Sequence, residues 1–203
     1  MRCIIGLAGK KRAGKDTVGE YLVKRYGFTR VSFADEIRSM LEEINPYTVT
    51  DQGFTQKLRS RVEQIGWEAA KDEMDNRRLM RDLGVALRSR RPSFWIDLAI
   101  DKLTRLPAEA PVVFTDVRYE NEAQMISDVA GWVVLIRRPK ADLLDTHVSE
   151  TELDDYPFQY IIENTGGLAD LGDAVDLLLK QLDRQSLEPF FCVDRKFDPW
   201  PTF

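Results

Sequence analysis

The chain has 203 residues, 43% of them hydrophobic and 31% charged, with a formal net charge of −5. That much apolar material can bury a full core and excludes a disordered or fibrous chain. The acidic balance excludes a general coat for nucleic acid or membrane surfaces, which needs a broad basic face.

Residues 3–8 form a short continuous apolar run, as expected of a strand covered on both faces of a parallel sheet. Val18, Tyr21, Leu22 and Tyr26 then recur at helical spacing, so the loop of residues 9–14 joins a buried strand to a helix. Residues 30–33 read as a second strand, and Ile37, Met40, Leu41 and Ile44 as the inner stripe of a helix that ends before Asn45-Pro46. Residues 45–56 read as a loop. Three helices follow, marked by Leu58, Val62 and Ile65, by Leu79, Leu83 and Leu87, and by Trp95, Ile96, Ala99, Ile100 and Leu103. Together they make an all-helical insertion over about residues 45–103.

Residues 112–116 and 132–136 are the next buried strands, with a crossover helix over about 121–130. The charged, weakly periodic stretch of about 138–158 reads as a lid. Residues 160–162 give a last strand, and Leu168, Leu171, Val175, Leu178, Leu179 and Leu182 a last helix. The expected organisation is one α/β domain with its core in residues 1–44 and 104–185. A tail of residues 186–203, rich in proline and aromatic residues, is expected to pack along the surface or on another subunit.

Cys3 and Cys192 stand at opposite ends of the chain, so no disulfide framework or clustered metal-ligand spacing exists, and a reducing cytoplasm is the expected compartment. The opening apolar run is too short for a signal sequence. No segment approaches the ~18 apolar residues of a membrane span.

The chemistry is concentrated near the amino terminus. Gly9, four intervening residues, Gly14 and Lys15 fit a phosphate-binding loop, in which backbone N–H groups and the positive end of the following helix surround a nucleotide's phosphates. A lysine-rich surface turn would not be framed by a buried strand and a helix. Lys11, Arg12, Ala13, Gly14, Lys15, Asp16 and Thr17 are therefore the candidate nucleotide contacts, with Lys15 reaching the β- and γ-phosphates and Thr17 another phosphate oxygen. Asp16 stands where the general pattern has a serine or threonine on magnesium. Its carboxylate could hold the metal directly, hold it through water or orient Lys15, which leaves Asp16 and Thr17 as the metal-side candidates.

Such a loop serves switches, motors, kinases and inert sensors alike. Small size, the insertion and an arginine-bearing lid favour a kinase for a small phosphorylated acceptor. Asp35, at the mouth of the second strand, is a candidate for the acceptor or the metal, or else the N-cap of its helix. Asp116 and Arg118 follow the third core strand, where open α/β sheets bind ligands. Arg137 and Arg138 enter the lid, where closure could bring a guanidinium onto the transferring group and exclude water. His147, Ser149 and Glu150 would fix lid geometry or touch the acceptor. Trp95 and Tyr119 are core residues or base-stacking candidates. Kinases of other phosphate esters, such as phosphomevalonate or dephospho-coenzyme A, and a non-catalytic ATP-binding module remain open. A guanine-reading Asn-Lys-x-Asp segment is lacking.

Four segments together, GKKRAGKDT (9–17), SFAD (32–35), TDVRYENE (115–122) and HVSE (147–150), resemble the bacteriophage-type deoxynucleoside monophosphate kinases. The resemblance runs from residue 1 to about 182, and Gly-Lys-Asp-Thr is usual in that family. It implies a P-loop NTPase-type three-layer fold with a five-stranded parallel sheet, a helical substrate-binding insertion and a short lid. It also implies ATP with magnesium, small-molecule nucleotide substrates, often a homodimer, and a host cytoplasm if phage-encoded. Carried over residue by residue, Lys15, Asp116 and Arg138 serve the chemistry, Arg137 the ATP, and Phe33, Asp35, Arg88, Arg118 and Glu150 the acceptor. Arg88 is singled out from Arg77, Arg78, Arg81, Arg90 and Arg91 on resemblance alone. The acceptor's phosphate oxygen is the nucleophile and is already largely ionised, its second pKa being about 6. No strong base is required, and catalysis reduces to alignment and charge neutralisation.

Overall fold

A computed structural model describes residues 2–139 and 147–185. In chain order the elements are β1 (Ile4–Ala8), α1 (Lys15–Tyr26), β2 (Thr29–Val31), α2 (Ala34–Ile44), β3 (Tyr47–Val49), β4 (Thr55–Lys57), α3 (Leu58–Ile65), α4 (Trp67–Ala70) and α5 (Met74–Arg90). These are followed by α6 (Phe94–Arg105), β5 (Val112–Val117), α7 (Glu120–Asp128), β6 (Trp132–Arg137), α8 (Val148–Thr151), β7 (Tyr160–Glu163) and α9 (Leu168–Gln185). The expected tail and the middle of the expected lid, residues 140–146, lie outside the described residues. Two compact units emerge, one of residues 2–32 with those described from 101 onward, the other Phe33–Ile100.

In the first unit five strands pair in the order β2-β5-β1-β6-β7, every pairing parallel. β1 is central and all five of its residues are buried, which is why it reads as an unbroken apolar run. On one face Ile5, Leu7, Val113, Val134 and Ile136 pack with Val18 and Leu22 of α1 and with Leu171, Val175, Leu179 and Leu182 of α9. α7 packs against β1 and β6, and a Cβ on Gly6 would lie 2.9 Å from Val117 Cγ2 and closer still to Ile126 Cδ1. The glycine inside β1 is thus a matter of contact distance rather than of turning. Parallel pairing also sets the function-bearing edge, because the residues after the five strands, Gly9, Ser32, Arg118, Arg138 and Asn164, all leave the carboxyl end of the sheet.

Two polar devices tie this unit together. Arg2, just before β1, donates to the carbonyls of Leu103 at 2.8 Å, Leu106 at 3.0 Å and Pro107 at 2.8 Å, so a guanidinium closes the C-terminal end of α6. Between α1 and α9, Asp176 Oδ1 accepts the hydroxyls of Tyr21 at 2.7 Å and Tyr26 at 2.8 Å, and Arg25 lies 3.4 Å from its second oxygen. Burial first and the Asp176 carboxylate second push the Tyr21 phenol up.

The second unit departs from expectation at its start. Residues 45–56 are not one loop, since β3 and β4 pair antiparallel with Tyr47 opposite Lys57 and Val49 opposite Thr55. Strands of three residues show too little alternation to be recognised from sequence. The insertion is therefore helical with a hairpin. α2 lies in this compact unit as well. Its Ile37 lies against Gly84 of α5. Trp95 is 2% exposed, and its indole donates to the Gly84 carbonyl at 3.1 Å, as a core residue of the unit. Arg61 and Glu73 form a largely buried pair, with Arg61 Nε donating to Glu73 Oε1 at 3.0 Å.

Asp176→Ala should remove the carboxylate that accepts both the Tyr21 and the Tyr26 hydroxyl. The expected loss is about 2 kcal/mol of unfolding free energy by urea titration, and an unchanged midpoint would show that the network is only decorative.

Candidate active site

The loop of residues 9–14 leaves β1 with three left-handed positions, Gly9 at φ 138°, Arg12 at 62° and Gly14 at 108°. Alternation of backbone hand in so short a turn aims successive N–H groups at a common point. Neither glycine has room for a side chain. A Cβ on Gly9 would strike the Ile136 carbonyl oxygen, and one on Gly14 would lie 2.5 Å from Asn164 Nδ2. Asn164 is buried, accepts no such crowding, and donates from Nδ2 to the Ala13 carbonyl at 2.8 Å. α1 then begins at Lys15 with no side-chain cap, so its first-turn N–H groups and the positive end of its dipole face the loop.

Lys15 is 8% exposed, and its ammonium donates to the carbonyls of Gly9 at 2.6 Å and Lys10 at 2.9 Å. Burial pushes its pKa down from 10.5 to about 8, the positive charge of Arg118 adds to the depression, and Asp16 and Asp116 oppose it. Asp116 accepts from the buried Ser32 hydroxyl at 2.7 Å. The backbone N–H groups of Arg118 and Tyr119 both donate to Glu122 Oε2, at 2.8 and 3.2 Å, and Glu122 is 2% exposed. That carboxylate holds the turn from which the Arg118 guanidinium projects.

The acidic segment around α8 lies on the loop through charge. Glu150 pairs with Arg118 and accepts the Lys11 backbone N–H at 3.1 Å. Lys10 donates to the Glu150 carbonyl at 2.5 Å and pairs with Asp154, while the Glu120 N–H donates to Glu152 at 3.0 Å. His147 caps the short helix, its Nδ1 accepting the Ser149 N–H at 3.2 Å. Gly9, Lys10, Val117, Leu135, Leu153 and Phe158 line a pocket here.

Of the residues expected from sequence, the structure brings Lys11, Ala13, Gly14, Lys15, Asp116, Arg118 and Glu150 to this one edge. Arg12 and Asp16 are exposed beside them, and Thr17 is half-buried in the first turn of α1. β6 runs one residue further than expected, and Arg137 Nε donates across to Glu163 Oε1 at 2.8 Å. Arg138 is exposed at the next position. Phe33, Asp35 and Arg88 belong to the second unit, where Phe33 is buried. Asp35 is not the N-cap of α2: the helix starts at Ala34 after Phe33, and Asp35 sits in its first turn, where a carboxylate favours the helix dipole. Asn164 was not foreseen. A polar residue directly after the last strand of a parallel sheet was the available signal.

The profile of the deoxynucleotide monophosphate kinase family matches residues 3–69 and 41–175. The chain belongs to this family. This family member is 32% identical over 163 residues to a protein of Acanthamoeba polyphaga mimivirus provisionally named as a deoxynucleotide monophosphate kinase, covering 74% of this chain and 81% of that one. It is also 27% identical over 191 residues to the uncharacterized protein ORF76 of Ictalurid herpesvirus 1 (strain Auburn), covering 90% and 68%. The crystal structure of TT1252 from Thermus thermophilus superposes with a TM-score of 0.50 at 20% identity, covering 89% of this chain and 98% of that one, and shares its fold. Family and fold make the protein a nucleotide kinase of the P-loop class.

The depressed pKa of Lys15 fixes the sign of a pH effect. Between about 8 and 10.5 the unfolded chain holds a proton on this residue that the folded chain has released, so stability contributed here is lowest below about pH 8 and rises above it. Relative to Lys15→Met, the wild type should gain up to about 1.4 kcal/mol for a pH step of one within that window. Parallel urea-unfolding curves against pH would refute the burial of a charged Lys15.

Proposed function

We propose that the protein transfers the γ-phosphoryl group of ATP to a deoxynucleoside 5′-monophosphate, giving the diphosphate and ADP. The observation that carries this reading is the buried ammonium of Lys15 beside a loop whose two glycine positions have no room for a side chain, in a chain of the deoxynucleotide monophosphate kinase family. A cradle of backbone N–H groups, an uncapped helix start and a lysine together suit a polyphosphate.

In this reading the carbonyls of Gly9 and Lys10 hold the Lys15 ammonium until a phosphate takes their place, and the ammonium then binds the β- and γ-oxygens. Arg118 meets the acceptor's phosphate, prepositioned by Glu122 and Glu150. Asp116, fixed by Ser32, orients the reacting groups. Arg138 closes with residues 138–158 acting as lid. Phe33, Asp35 and Arg88 bind the acceptor.

Magnesium fits the donor set. Among the described residues no three His, Cys, Asp or Glu side chains are grouped to hold a metal, whereas magnesium on a nucleotide is held by phosphates and waters with one or two protein oxygens, which Asp16 and Thr17 can supply. When bound it neutralises charge on the phosphates.

The test incubates purified protein with Mg-ATP and each common ribo- and deoxyribonucleoside monophosphate and looks for diphosphate product. Transfer to at least one deoxynucleotide is expected, with Lys15→Met losing at least about 10²-fold in turnover while still unfolding cooperatively. Product from no monophosphate, or near-normal turnover in the variant, would end the proposal.

A further inference from the structure

The residue that follows the last strand of the sheet reaches back to the phosphate loop. Asn164 extends the β6–β7 ladder by one bond, its backbone N–H donating to the Arg137 carbonyl at 2.7 Å. Its side chain is thereby placed by the sheet rather than by the loop it meets, and the residue is 6% exposed. From there Nδ2 donates to the Ala13 carbonyl at 2.8 Å. The carboxamide also lies close over the α-carbon of Gly14, since a Cβ at that position would stand 2.5 Å from Nδ2 and 3.7 Å from Leu171 Cδ2 of α9.

What this bond does follows from peptide geometry. The peptide joining Ala13 to Gly14 is planar and trans, so its carbonyl and its N–H point in opposite directions. Holding the Ala13 oxygen toward the end of β7 therefore aims the Gly14 N–H away from that strand and into the turn. The neighbouring groups are already committed, because the Ala13 N–H donates to the Lys10 carbonyl at 3.1 Å and the Gly14 carbonyl accepts the Val18 N–H at 3.0 Å. Glycine has the widest choice of backbone angles, so at Gly14, with φ 108°, this peptide needs an outside anchor to keep one orientation. Turned over, it would present a carbonyl oxygen where an anion requires a donor.

We propose that Asn164 is a positioning residue for ATP, holding the peptide between Ala13 and Gly14 so that the Gly14 N–H faces the nucleotide's phosphates. This rests on the monophosphate kinase reading. Asn164 touches no reacting atom and acts through the backbone of the loop. A carboxamide suits the task, since its NH2 group satisfies a carbonyl without bringing charge to the phosphates. A leucine of nearly the same shape would fill the space and leave the Ala13 oxygen unanchored.

The experiment compares the wild type with Asn164→Leu and Asn164→Ala. Calorimetry gives the Kd of Mg-ADP and of inorganic tripolyphosphate, and steady-state kinetics gives the KM of ATP and of the deoxynucleoside monophosphate that serves best. Each variant should bind ADP and tripolyphosphate about tenfold more weakly and raise the KM for ATP about tenfold, while the KM for the acceptor stays within about twofold. A merely structural role would move both KM values together. Unchanged affinity for ADP in a variant that still unfolds cooperatively, or an equal rise in both KM values, would overturn the assignment. If the wild type binds ADP yet phosphorylates no monophosphate, the kinase reading falls and the ADP comparison still decides the role of Asn164; if it binds neither ADP nor tripolyphosphate, both fall. Should Asn164→Ala fail to unfold cooperatively, Asn164→Leu, which leaves no cavity, decides the same comparison.

Discussion

The site is organised around one constraint, the burial of a lysine charge among backbone carbonyls at the end of the central strand. An ammonium with only 8% exposure requires acceptors on every side, and Gly9 and Lys10 supply them because the loop between residues 9 and 14 folds back on itself. That fold-back in turn needs Gly9 and Gly14, where a side chain would meet Ile136 or Asn164. Burial pushes the Lys15 pKa down to about 8, so its charge is held at a desolvation cost.

Around this centre charge does the assembling. A basic loop, Lys10 to Arg12, faces an acidic segment in which Glu150, Glu152 and Asp154 each find a partner on the loop or on the turn after β5. Contacts made by exposed groups are individually weak and readily exchanged. The Arg118–Glu150 pair differs, because Glu122 fixes the backbone behind Arg118 and the Glu150 side chain is only 8% exposed.

Much of this was legible in the sequence, for identifiable reasons. The alternation of apolar runs with helical stripes placed β1, β5, β6 and β7 to within one residue at each end and β2 to within two. The glycine–lysine spacing located the loop because the pattern is a direct record of where a Cβ is excluded. Trp95 read as core and is core. The β3–β4 hairpin escaped, as three-residue strands carry no detectable period. Asn164 escaped because its partner, the Ala13 carbonyl, is 151 residues away. The pairing of Arg137 with Glu163 escaped as well, because it follows from a one-residue extension of β6 and from the register of β6 with β7.

By itself the sequence determined the fold class, the phosphate loop and the kind of chemistry, because these depend on local spacing and on which residues tolerate a tight turn. Only the tertiary structure decided that Glu122 and Asn164 brace the site and that Glu150 bridges Arg118 and Lys11. Those contacts join residues distant in the chain, and the geometry that joins them exists only once the strands have paired and the helices have packed.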